Sequence, residues 1–96
     1  MAISTPPSCD YTPVTVSAVT THRFLCGWVF RETSGATAVI RLREGDDSGD
    51  IAVSISLAAN QSAGTEYPIP IRTADKANRW YCEVVSGNVE GAVYGD

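Results

Sequence analysis

The 96-residue chain has one histidine, three cysteines, seven basic side chains and no apolar run near the roughly 20 residues that a membrane helix requires. Each scarcity removes a class of function. Without such a run, a membrane-spanning role is not expected. Seven basic against eleven acidic residues leave a net charge of −4. Nucleic-acid binders carry the reverse balance, because phosphate neutralisation supplies most of their affinity. Arg41 and Arg43 form a small basic edge, but an acidic run follows at once, so nucleic acid is not an expected partner. Cys9, Cys26 and Cys82 are odd in number and form no CxxC pair. With the single His22 they make a scattered set, unlike the ligand spacing of structural zinc. Cys26 and Cys82 could bond if their strands face each other, but buried thiols are the expectation for a chain made in a cytoplasm. The start, "MAISTPPSCDYTP", lacks the basic residues and apolar core of a signal peptide. Its Met reads as the beginning of a complete small gene product.

Catalytic patterns are equally scarce. No GxSxG, HExxH, GxGxxG or phosphate-loop motif occurs, and His22, in "TTHRF", has no carboxylate near it in sequence. It reads as an exposed residue at a strand start. Neither an enzyme nor a cofactor is expected. The segment "REGDDSGD" (43–50) holds four of the eleven acidic residues. Asp46, Ser48 and Asp50 alternate like the start of a calcium loop. An EF-hand, however, needs Gly at its sixth position and Glu at its twelfth, where this chain has Ile51 and Leu57. A solvated turn with Gly45 and Gly49 at positive φ is the expected structure, with weak calcium binding as the alternative.

What the chain does have is alternation of period two. "VTVSAV" (14–19), "HRFLCGWVF" (22–30), "TAVIRLR" (37–43), "IAVSISLA" (51–58), "EYPIPIR" (66–72), "RWYCEVV" (79–85) and "VEGAVY" (89–94) read as strands separated by polar turns. Pro68 and Pro70 remove two backbone donors from one side of the fifth, which places it at an edge. Ser86-Gly87-Asn88 suits a hairpin. The pattern predicts an all-β fold, a single antiparallel sandwich of about seven strands over residues 14–96, of jelly-roll or immunoglobulin-like type. Residues 1–13, with Pro6, Pro7 and Pro13 and no alternation, read as an extended arm.

Trp28 and Trp80 share parity with the apolar faces of their strands and are expected in the core. Tyr81 and Tyr94 lie on the opposite parity, as do Leu25, Val29 and Val39. That second face is more apolar than a solvated face requires. It reads either as a protein-binding surface or as a cover for the second layer. With Pro6, Pro7 and Tyr11 of the arm, these residues form the candidate partner-binding set.

The order of pieces is distinctive. Gly27-Trp28 in a strand is followed by a small polar turn, an apolar strand at 38–42, "LAAN" (57–60) with Ser62, a proline-bearing strand at 67–70, and "WYCEVVSGNVEG" (80–91). Over residues 24–95 this resembles the small all-β virion proteins of tailed bacteriophages, the group of capsid decoration, head-fibre and tail accessory subunits. The resemblance implies a structural role on the capsid surface after synthesis in the host cytoplasm. The partners it implies are the major capsid protein and neighbouring copies of the chain, as a homotrimer. It also implies that the arm attaches by strand addition. A receptor- or carbohydrate-binding module of a fibre is the alternative within the same group.

Overall fold

The computed structural model describes residues 10–96, which form eight strands and no helix. They are β1 (Asp10–Pro13), β2 (Ala18–Val19), β3 (Phe24–Glu32), β4 (Ala38–Glu44), β5 (Ile51–Leu57), β6 (Ser62–Arg72), β7 (Trp80–Ser86) and β8 (Val89–Gly95). Two antiparallel four-stranded sheets make the sandwich. The first has the order β1-β8-β3-β6 and the second β2-β7-β4-β5. Short links join β1 to β2, β3 to β4, β5 to β6 and β7 to β8. Each link therefore connects strands at the same position in the two orders, and the chain passes repeatedly from one layer to the other.

Apolar side chains from both inner faces meet between the layers. The first sheet contributes Leu25, Phe30, Val89 and Val93. The second contributes Ala38, Ile40, Leu42, Ile55, Leu57, Trp80 and Cys82. Trp80 is buried and donates its indole N–H to the Ile71 carbonyl at 3.0 Å. Trp28 is only half-buried; it packs against the core, beside Phe30, and donates to the Tyr67 hydroxyl at 3.0 Å. Each indole thus packs its ring against the core while its one donor is satisfied.

Several expectations are corrected. The stretch 14–19 is not one strand: Val14 is buried, its N–H donating to the Gly91 carbonyl, Val16 is 68% exposed, and only Ala18–Val19 pair, with β7. Of the expected arm, residues 1–9 (with Pro6, Pro7 and Cys9) lie outside the described residues, and Asp10–Pro13 are strand β1, paired with β8. Ser86-Gly87-Asn88 is not a hairpin, because β7 and β8 belong to different sheets. Cys26 and Cys82 lie in different sheets as buried thiols, with no bond between them. Burial pushes the Cys82 thiol up to about 12, far from a reactive thiolate.

Two distortions explain most side-chain placements. In β3 the register shifts between Leu25 and Gly27, so Cys26 is an extra residue. A β-bulge of this kind reverses parity on one side of it. In β6 the same gap leaves residues 67–70 without partners in β3; Tyr67 packs against the core while Ile69 is 82% exposed. The prolines sit in β6 at the edge of the first sheet, where its one neighbour among the described residues is β3.

Candidate functional site

Of the candidate partner-binding residues, Tyr11, Val29 and Tyr94 come together on the outer face of the first sheet. Residues opposite each other across neighbouring strands share a face. Tyr11 stands opposite Tyr94, Tyr94 opposite Gly27, and Val29 opposite both Ala92 and Gly64. Leu25 does not join them. The Cys26 bulge turns it inward, where it is fully buried, and Phe24 takes the exposed side. Val39 and Tyr81 belong to the outer face of the second sheet, on the opposite side of the sandwich, where both are half-buried.

The tyrosine pair is the centre of the face. The rings of Tyr11 and Tyr94 lie 5.2 Å apart at 44°, and Tyr11 is 67% exposed. Tyr94 reaches across β3 and donates its hydroxyl to the Thr65 carbonyl of β6 at 3.2 Å. Gly27 makes that crossing possible. A Cβ there would stand 2.7 Å from the Tyr94 ring and 2.4 Å from the Thr65 carbonyl oxygen. Further along the face Val29 is 42% exposed. Beyond it, Val29, Ser62 and the ion-paired Arg31 and Glu90 line an open depression of about 340 Å³. The surface is thus aromatic and aliphatic over small residues, with the Arg31–Glu90 pair at one end and the exposed Glu66, opposite Gly27, on the edge strand β6.

The carboxylates that the fold engages are structural. Glu32, at the end of β3, is 1% exposed and accepts bonds from the Ser34 hydroxyl (2.5 Å) and from the N–H groups of Ser34 (2.8 Å), Gly35 (2.7 Å), Ala36 (3.1 Å) and Asn60 (3.0 Å). It ties the β3–β4 link to the β5–β6 link. The Ser34 hydroxyl first, and then the backbone donors of Asn60, Ser34 and Gly35, hold its carboxyl at about 2, against the opposing effect of burial. At the other end of the sandwich Glu44 accepts from Ala74 N–H at 2.6 Å and Asn78 Nδ2 at 3.0 Å, which also lower its pKa. Both stay anionic and fully engaged, so neither is placed to shuttle protons.

The acidic loop 44–50 is a turn. Asp46 Oδ1 accepts from the Ser48 N–H (3.0 Å) and hydroxyl (2.8 Å), an Asx-type closure. Gly45 has φ 87°, as expected. Gly49 does not use positive φ. It is needed for close approach, since a Cβ there would overlap the Glu44 carbonyl. Among the described residues no group of three or more His, Cys, Asp or Glu side chains is arranged to hold a metal ion.

His22 is buried at 2% exposure, contrary to expectation, with Thr12 Oγ1 2.9 Å from its Nε2. It connects β1 to the β2–β3 link. Sequence reasoning missed it because Thr12 seemed to belong to a loose arm. It missed Glu32 because a lone carboxylate before "TSGA" looks solvated. The signal for Glu32 was Ser and Gly two and three residues on, the spacing at which a turn folds its N–H groups back onto a preceding carboxylate.

No family model, curated protein or solved structure matches the chain.

Proposed function

We propose that this protein is a structural virion subunit of a tailed bacteriophage, a capsid decoration protein that binds the outside of the head and reinforces it. Two lines support the reading: the resemblance over residues 24–95, and the convergence of Tyr11, Tyr94 and Val29 from three strands on one exposed apolar face. The second is the observation that carries it. Such a face, with charge at its margin, suits a partner of fixed shape such as the major capsid protein. In this reading the protein is not an enzyme, needs no cofactor, and acts as one of several symmetric copies, so that weak contacts gain from avidity.

The test is attachment of the full chain to undecorated heads. Val29→Lys should weaken attachment by at least about tenfold, since it places a charge within the contact. Val19→Lys, on the outer face of the second sheet, should not. If Val29→Lys attaches like wild type while folded, the face is not the contact.

A second reading is a carbohydrate-binding module of a fibre. The observation that favours it is the exposed Tyr11 ring beside the half-buried Tyr94, on the same face as the Arg31–Glu90 ion pair. Glycan binding that is lost in Tyr11→Ala would favour this reading over the first.

A further inference from the structure

Among the described residues, four strands form the sheet edges, and three of them are blunted. β1 has four residues and ends in Pro13; β2 has two residues; β6 carries Pro68 and Pro70 in a stretch unpaired with β3. Prolines, shortness and distortion are the usual devices that keep an edge from pairing with another chain. β5 differs. It has seven residues, "IAVSISL", with no proline, glycine or charge, and its one neighbour among the described residues is β4. A bulge at Ala52 leaves residues 53–57 in regular register with β4, from Val53 opposite Leu42 to Leu57 opposite Ala38. Alternate residues of such a stretch direct their N–H and C=O groups away from the one neighbour.

We infer that the β5 edge pairs with β5 of a second copy of this chain, antiparallel about a two-fold axis at Ile55, joining the two second sheets into one continuous eight-stranded sheet. The sequence of the edge is self-complementary in that register. Val53 stands opposite Leu57 on the inner side, and Ser54 opposite Ser56 on the outer side, each pair occurring twice. Ser54 and Ser56 are exposed, and Ile55 and Leu57 are core residues. Cross-strand serines can hydrogen-bond, and no like charges are opposed. The flanks agree. Beyond residues 53–57 the antiparallel arrangement places the acidic loop of one copy near the β5–β6 link of the other, so the acidic loop never faces itself. A self-complementary contact of this kind is isologous and closes at two copies. The expected state is therefore a dimer, where the virion resemblance implies a trimer. The inference does not rest on the virion reading, and its test needs no phage particle.

The test is sedimentation of the full chain over a concentration series, with circular dichroism as the check on folding. Wild type should form a dimer. Ser54→Lys together with Ser56→Lys opposes like charges at both outer pairs and should raise the dimer Kd by at least about tenfold. Ser54→Lys together with Ser56→Glu opposes unlike charges in the same register and should remain dimeric. A wild type that is monomeric throughout, a mass unchanged by the double-lysine variant, or equal dissociation of both folded variants would overturn the inference.

Discussion

The two sheets share one inner core but show different outer faces. Outside the first sheet stand Tyr11, Pro13, Tyr94, Ala92 and Val29 over Gly27 and Gly64; its charges are Glu66 on the edge strand β6 and the Arg31–Glu90 ion pair at the far end. Outside the second stand Arg41, Arg43, Glu83, Ser54 and Ser56. There Arg43 is held by Glu83 at 3.1 Å and by the Gly49 carbonyl at 2.9 Å, in the body of the sheet. Val19, Val39, Ile51 and Tyr81 are apolar exceptions among those charges. The same alternation built both sheets, so alternation alone does not assign function. What separates the faces is whether outward positions hold partnered charge, which satisfies water, or aromatic rings over small residues, which do not.

Three changes would break or sharpen this contrast. The largest effect is expected in the shared core. Trp80→Ala should destabilise the fold by about 3–5 kcal/mol in urea titration, as deletion of a buried aromatic does. Trp28→Ala should cost less, because that ring is half-buried; equal losses would mean that the first sheet is as deeply anchored as the second. Next is Gly27→Ala, which drives a methyl group into the Tyr94 ring and the Thr65 carbonyl. It should cost about 1–3 kcal/mol and change the near-ultraviolet dichroism of the tyrosines, whereas Val29→Ala on the same face should stay within about 0.5 kcal/mol. A neutral Gly27→Ala would show that the ring is not pinned there.

The pH-dependent effect concerns the ties between layers. The Glu32 carboxyl lies at about 2 when folded, against an ordinary 4.5. Its contribution is therefore fully present above pH 4.5 and is lost as pH falls from there towards 2. Glu32→Gln should flatten the acid limb of the stability curve relative to wild type while changing neither outer face. An unchanged slope between pH 5 and 2 would remove Glu32 as the source.

The alternating strands, the proline-marked edge and the small polar turn at 43–50 were legible in the sequence because they are local: each follows from side-chain parity or turn chemistry within about eight residues. The failures were of longer range. A single extra residue at Cys26 moved Leu25 from the outer face to the core, and nothing in "FLCGW" marks a bulge. Ser86-Gly87-Asn88 has the same composition whether it closes a hairpin or crosses between layers. The difference lies in which strands are already paired with β4 and β3. Of the face itself, Tyr11, Val29 and Tyr94 were identified individually. That they form one surface, and that Val39 and Tyr81 do not belong to it, depends on the strand order.

That strand order also bears on how the chain is made. β8 lies in the middle of the first sheet, between β1 and β3, and Asp10 pairs with Gly95. On a ribosome adding roughly 5–20 residues per second, β1 emerges on the order of ten seconds before the strand that it pairs with. Through that interval the inner face of β3, including Phe30, lacks its central neighbour, and β1 has none. β3 can pair with β6 before then, but β1 joins the first sheet only when β8 inserts. In nascent chains halted before Val89, β1 should therefore be protease-sensitive, and its protection should arrive in a single step once the 89–95 segment has cleared the exit tunnel.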